Sequence, residues 1–374
     1  MKQIRKVKKN GKFGIVVLFI IGFLIGSFST NLILENRENK IHITIVYGSE
    51  KASWMSVVYS DFMIEWYNNH PNEPISIDMH PYGSANSIIS ILNGEIYPTI
   101  WSPASSIWMP FLNLKWAELT HSAIPIVNIS AAVKIIFSPI VIATWESFNQ
   151  SHNIKGFKDV HNMTLDPLIN IKMAHTDPRL SNSGFMSIIM ALSAASGKAS
   201  ENLTMSDLTN LSNQQWLRDF ESSAVVYGTS TGFLARYMKN EGPTGLNIVL
   251  LYENLIRDIS STATGGKIIA IYPEEGTLYS DHPFCILNAD WVSPQQRVVA
   301  NAFLDFLSKN ETVITALEYG FRPINPSIPL NPEVFNYETN GIAFELKIPE
   351  LNTPLDANVL LKISDLWLLC KATA

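Results

Sequence analysis

The chain has 374 residues, 47% apolar and 16% charged, which is enough to bury the core of a two-domain or two-lobed body and too apolar for a disordered chain. The formal net charge is −6, yet six of the 27 bases (Lys2, Arg5, Lys6, Lys8, Lys9 and Lys12) precede residue 13, leaving 21 against all 33 acids downstream. A body this acidic argues against nucleic acid as a partner, because phosphate neutralisation needs a basic face.

Residues Phe13 to Leu34 carry no charge, and roughly 22 apolar residues are enough to span a bilayer core as a helix. The basic cluster precedes them, so the positive-inside rule keeps the N-terminus in the cytoplasm and exports the rest. Residues 1–40 are therefore expected to be a cytoplasmic basic tail, a transmembrane anchor and a linker. The competing expectation is a cleaved signal peptide, with Ser27 and Ser29 near the cut. Six Asn-x-Ser/Thr sequons (Asn128, Asn149, Asn162, Asn202, Asn210 and Asn310) all lie downstream, where glycosylation of an exported glycoprotein is chemically accessible. The two cysteines, Cys285 and Cys370, do not define a disulfide framework, and Cys285 in the run PFCIL reads as a core thiol.

From residue 41 short β-rich runs alternate with helical patterns. IHITIVYG (41–48) predicts a strand, and Trp54, Val58, Phe62 and Trp66 mark one face of a helix over 54–67. Strands at 75–80 and 99–101 are each followed by a helix. Further strands are expected at 139–144, 170–176, 224–228, 247–252 and 267–273, with helices at 184–197, 207–221 and 231–239 between them. This alternation predicts an α/β fold with mostly parallel sheets flanked by helices. Two consecutive helices (293–307 and 311–319), a Pro/Asn-rich stretch and a last helix near 357–369 close the chain, and the apolar face of that last helix should dock on the body.

Small hydroxyl-rich loops recur at the carboxyl ends of the strands: Gly48-Ser49-Glu50, Tyr82-Gly83-Ser84, Ser102 to Ser106, Ser181 to Gly184, and Gly228 to Thr231. In an open α/β sheet that is where ligands bind. A Ser that opens a helix caps it or leaves backbone N–H groups and the positive dipole end facing a ligand. Ordinary capping explains any one loop, but five in register point to a polar cage. Catalytic patterns are missing from the sequence: it has no Gly-x-Ser-x-Gly elbow, phosphate-binding loop, zinc spacing or dinucleotide fingerprint. The histidines are scattered, and Glu274-Glu275, if on a strand, would point to opposite faces. No enzyme, cofactor or metal is expected.

These loops resemble those of the type II periplasmic solute-binding proteins, especially the molybdate/tungstate- and sulfate-type components of ABC transporters. The likeness runs from about residue 41 to 325. VYGSEKAS is similar to the first strand and its serine loop, and PYGSANSIISILNGEIYPTIWSPASSIWM to the second serine loop with its helix, next strand and loop. SPIVIATW resembles the crossover strand, and HTDPRLSNSGFMSIIMALSAASG the turn that starts the far-lobe helix. AVVYGTST and IAIYP resemble the return segments, and AFLDFLSKNETVITALEYGFRP the closing helix pair. The pattern also resembles a branch that in some bacterial proteins precedes a von Willebrand A domain.

The resemblance implies two lobes joined by crossovers, with lobe 1 at 41–137 plus 273–374 and lobe 2 at 138–272. It points to Ser49, Ser84, Ser183 and Gly184 as ligand contacts. The loop pattern adds Ser102, Ser105, Thr229 and Ser230 as ligand contacts, and Tyr272 and Glu275 of the return segment are expected at the cleft with them. The segment EEGTLYSDHP departs from the oxyanion binders: its acids would repel a dianion unless bases such as Lys51 or Arg179 pair with them. The expected function is an extracytoplasmic receptor, monomeric and anchored to the cell membrane, that delivers a small polar or anionic solute to an ABC-type permease. The rival is a surface interaction or sensory module that kept the fold without transport. A cleft filled by Trp54, Trp101 or Trp108 would favour that rival.

Overall fold

The computed structural model describes residues 40–260 and 262–372. The anchor expected at 13–34 lies outside the described residues, and among those described no helix is long and apolar enough to cross a membrane. In chain order, β1 (Ile41–Gly48) runs through a tight turn at Ser49–Lys51 into α1 (Ala52–Asn69). It is followed by β2 (Ile75–Tyr82), α2 (Ser84–Leu92), β3 (Ile100–Ser102) and α3 (Trp108–Thr120). The chain continues through β4 (Ile136–Trp145), α4 (Glu146–His152), α5 (Phe157–Leu165), β5 (Met173–Thr176), α6 (Asn182–Ser196), α7 (Met205–Thr209) and α8 (Leu211–Glu221). Next come β6 (Ala224–Gly228), α9 (Thr231–Gly245), β7 (Ile248–Tyr252), α10 (Glu253–Ser260), β8 (Ile268–Ile271), β9 (Thr277–Ser280) and β10 (Cys285–Ile286). The last elements are α11 (Pro294–Leu307), α12 (Asn310–Glu318), β11 (Arg322–Pro323), α13 (Tyr337–Asn340), β12 (Glu350–Leu351) and α14 (Ala357–Lys371).

The apolar spacing of four read from α1 is the face it buries, since Trp54, Val58, Phe62 and Trp66 are all in the core. β1 pairs in parallel with β2 and β3, and β10 closes the first sheet antiparallel, in the order β10-β3-β1-β2. The second sheet has the order β12-β9-β4-β7-β5-β6, with β8 and β11 also paired to β4. Its central strands are buried on both faces, which is why β7 and the 140–143 stretch of β4 read as continuous apolar runs. Ser293 opens α11 with a reciprocal capping box to Gln296 and a proline in the first turn, a start legible in the sequence.

The chain passes between the lobes three times. β4 carries it from the first lobe into the second, and Ser280 pairs with Ser138 on the way back. β9 belongs to the second sheet, so the return comes after Ser280 and not at 273. After α12 the chain crosses again, where Arg322 and Pro323 pair with Phe137 and Ile136. The Arg322 guanidinium there forms a two-pronged bond with Glu253, at 2.7 and 2.8 Å.

The tail beyond Pro323 lies on the second lobe, a correction to the expected division. Val359, Ile363, Leu366 and Trp367 of α14 are buried against α8, α6 and α7. Trp367 Nε1 donates to Glu221 Oε2 at 3.1 Å, and the Tyr227 hydroxyl donates to the same oxygen at 2.8 Å. The buried His175 meets Glu221 Oε1 at 3.0 Å. Burial alone would lower the imidazole's pKa, but Glu221 holds it above its ordinary 6.5. Burial likewise opposes the Glu221 carboxylate, which His175 nevertheless keeps below its ordinary 4.5. His175 therefore stabilises the fold below pH 6.5 and loses that contribution as pH rises through its raised folded value; Glu221 stabilises above pH 4.5 and loses its contribution as pH falls. Urea titrations of wild type and His175→Gln should differ more at mildly acidic than at alkaline pH. An equal difference at both would remove the pair as the cause.

Candidate ligand-binding site between the lobes

The hydroxyl-rich loops meet where the lobes face each other. On the first lobe Ser49 Oγ accepts from the Gly232 amide at the start of α9, 3.1 Å away across the seam. Ser84 Oγ accepts from the Ala104 amide at 3.0 Å and fixes the loop after β3, while the Asn86 amide donates across the seam to the Leu180 carbonyl at 3.0 Å. Ser105 Oγ accepts from the Ile107 amide at 3.3 Å. Ser102 Oγ is fully buried and has no hydrogen-bond partner.

On the second lobe Ser183 Oγ lies 2.8 Å from Thr176 Oγ1 and 2.7 Å from Thr231 Oγ1, and the Gly184 amide donates to Thr176 Oγ1 at 2.7 Å. Thr231 does what was expected of its neighbours. Thr229 presents its carbonyl to Gly83, and Ser230 caps α9 through its backbone without a side-chain bond. Asn182, passed over in sequence because it sits at a helix start among better-known serines, ties the seam together. It accepts from Trp108 Nε1 at 2.8 Å and donates to Tyr252 and Ser280 hydroxyls at 2.9 Å each. The lobes are closed on each other along this line.

The floor of the seam is charged. Lys51 and Glu50 are 0% and 6% exposed, and their charged atoms lie 3.0 Å apart. Lys51 Nζ also donates to the Pro103 carbonyl at 3.3 Å and stands 3.4 Å from His282 Nδ1, which is 3.3 Å from Glu50 Oε1. Burial alone would raise the Glu50 carboxyl; Lys51 and His282 instead pull it down to about 2. Burial lowers the His282 imidazole, and Lys51 adds to that, so His282 is held neutral. Its Nε2 has no partner. The third acid of the region, Asp281, accepts from the Ser106 amide and pairs with Lys134, at 2.8 Å each.

The sequence model of one family, described as bacterial extracellular solute-binding protein, matches residues 43–322. The chain belongs to that family. Solved structures share the fold of this solute-binding protein at low identity. A putative spermidine/putrescine ABC transporter from Listeria monocytogenes is 12% identical with a TM-score of 0.61, the match covering 90% of this chain and 100% of the other. The periplasmic binding protein AfuA from Actinobacillus pleuropneumoniae, with exogenous fructose-6-phosphate bound, is 13% identical with a TM-score of 0.61, over 90% and 99% of the two chains. The binding protein MotA from A. tumefaciens in complex with glucopine is 12% identical with a TM-score of 0.62, over 88% and 100%. No curated protein matches the sequence.

Two residues expected at the cleft of this solute-binding protein stand elsewhere. Tyr272 bonds to Glu253 and accepts from the Ala343 amide at 2.8 Å, beside an outer cavity of about 490 Å³ that Glu274 also lines. Glu275 accepts from the Phe157 and Lys158 amides at 3.2 and 2.9 Å, supplying the cap that α5 lacks locally. Glu275→Ala should therefore cost about 1 kcal/mol, as a lost helix cap does, and leave solute affinity unchanged. Urea midpoints and calorimetric titration check both halves. The bases invoked to neutralise the segment's acids are also engaged elsewhere: Lys51 pairs with Glu50, and Arg179 with Asp177 at 2.6 Å. Trp101 bonds Ser87 inside the first lobe and Trp54 packs on Phe284 and Phe321; only Trp108 reaches the seam.

Proposed function

We propose that this solute-binding protein closes its two lobes on a small polar solute at the seam and presents it to an ABC-type permease, tethered by its apolar N-terminal segment. The observation that carries this reading is the convergence of hydroxyls and helix starts from both lobes on one buried line. The Asn86 and Gly232 amides are taken there by groups of the opposite lobe. Such amides, at the positive ends of α2 and α9, are the groups that hold a solute once it displaces those stand-ins. The lobes joined by strand crossovers supply the hinge. Proteins of similar fold are named for spermidine/putrescine or hold fructose-6-phosphate or glucopine, so the architecture leaves the solute to the seam residues.

The test is a thermal-shift screen of the full-length chain in detergent against oxyanions, metal ions, amino acids, polyamines and short sugars. A solute that binds only the folded form adds about 2.7 kcal/mol of stability at a hundredfold excess over its Kd. One class should give a clear shift that Ser84→Ala together with Ser183→Ala abolishes. A flat response throughout would favour a surface interaction module, a reading to which the Trp108–Asn182 bond across the seam lends support.

A further inference from the structure

The seam of this receptor carries two opposite charges one residue apart, and their balance restricts what it can close on. Glu50 and Lys51 are buried together with the neutral His282, and the nearby Asp281 is matched by Lys134. The local net charge is therefore zero. The Lys51 ammonium is already engaged, donating to Glu50 Oε1 and the Pro103 carbonyl with His282 Nδ1 3.4 Å away. A bare dianion closed into this space would lie beside Glu50 with no unspent cation to meet it, and a bare polycation would lie beside Lys51. Either case buries uncompensated charge, which folded proteins avoid.

Two further observations point to a ligand at the same floor. Ser102 Oγ, next in chain to the Pro103 that receives Lys51, has no partner, and neither has His282 Nε2 on the far side of the imidazole that faces Glu50; both residues are 0% exposed. Buried polar atoms left unpaired are rare in folded proteins and mark places where a further group belongs. The amides at the starts of α2 and α9 lie across the same seam and suit an anionic group.

We infer that Glu50 is the specificity-determining residue of the seam, and that the solute is dipolar: a zwitterion of the amino-acid class, its cationic group at Glu50 and its anionic group at the helix starts. This inference rests on the receptor reading above.

The test is calorimetric titration of the full-length chain in detergent with sodium sulfate, inorganic phosphate, putrescine, glucose, and a pool of the common amino acids with glycine betaine. Wild type should bind the zwitterion pool and neither anion. Glu50→Gln leaves the seam with one net positive charge, so it should gain sulfate or phosphate binding at least about tenfold over wild type and lose the zwitterions by a similar factor. The double variant Glu50→Gln/Lys51→Met is neutral again and should bind neither sulfate nor the pool; it carries the test if the single variant does not fold. Sulfate or phosphate bound by wild type and not tightened by Glu50→Gln, or glucose or putrescine bound in place of the pool, would overturn the charge inference and leave the receptor reading standing. Retention of the pool by the double variant would overturn it as well. If wild type binds none of the probes, the zwitterion inference fails, and the receptor reading is then decided by the wider thermal-shift panel above.

Discussion

Lys51→Met should destabilise the chain by about 3–5 kcal/mol, the cost of leaving one partner of a buried ion pair alone. The residue is fully buried, and its ammonium is the cation that holds Glu50 3.0 Å away. In the wild type the Glu50 carboxyl lies at about 2, so its contribution is present above pH 4.5 and fades as pH falls toward that value. Without Lys51 the largest of the groups that oppose burial is gone and His282 alone remains beside the carboxyl, so its folded pKa should climb above the unfolded one. The sign then reverses: the variant's deficit should be largest at neutral pH and shrink in acid. Glu50→Gln/Lys51→Met removes both charges and should recover most of the loss. Urea unfolding at neutral and acidic pH separates these outcomes. A Lys51→Met deficit independent of pH, or one that the second substitution deepens, would mean that lost packing of the lysine stem and not unpaired charge is responsible.

Gly83→Ala should hold the lobes apart. Gly83 has φ −71° and ψ 144°, a backbone conformation open to any residue, so alanine strains nothing within the first lobe. Its methyl group would lie 2.4 Å from the Leu180 carbonyl oxygen and 2.8 Å from that of Thr229, both backbone atoms of the other lobe. Gly232 has the same character from the opposite side, where a methyl group would come 2.7 Å from the Ser49 carbonyl oxygen. Small-angle scattering should therefore show a larger radius of gyration for Gly83→Ala than for wild type. Solute affinity should fall at least about tenfold, because every contact made only in the closed form is lost. The unfolding midpoint of the first lobe should barely move. A variant as compact as wild type would show that the seam can shift aside at this point.

Much of this architecture was legible. The period of four in α1 is a local signal that depends on a few neighbouring residues, and it formed as read; the capping box that opens α11 at Ser293 is equally local, though only the helix it starts was expected. The serine loops likewise came together, because a strand end followed by a helix start is a local pattern. The charge floor was not legible, since it depends on His282 arriving 231 residues after Lys51. Nor did the sequence show that Glu275 would be spent on the amides of α5, 117 and 118 positions earlier. Asn182 and Thr231 lay inside the expected loops, but which hydroxyl or amide turns inward depends on how each helix start is rotated. The tail's choice of lobe was hidden for a similar reason. The apolar face of α14 says that it must dock, while Glu221, which receives Trp367, is the last residue of α8 and lies 146 positions earlier in the chain.

The band formed by β9, β4 and β11 where the chain passes between the lobes sets the kind of motion available. Phe137, Ser138 and Pro139 are bonded on one strand to residues of two others, and all three strands run through the same short region. Separate single-strand tethers would leave the lobes free to bend, twist and slide. A hydrogen-bonded ribbon resists sliding, because any shift of register breaks its bonds, and it resists twist because the strands would have to stretch unequally. What remains is flexure out of its own plane, one degree of freedom, with Pro139 thinning the ladder by the donor it lacks. The loop tips then travel on a fixed arc, so Ser49 returns to Gly232 and Asn86 to Leu180 at every closure.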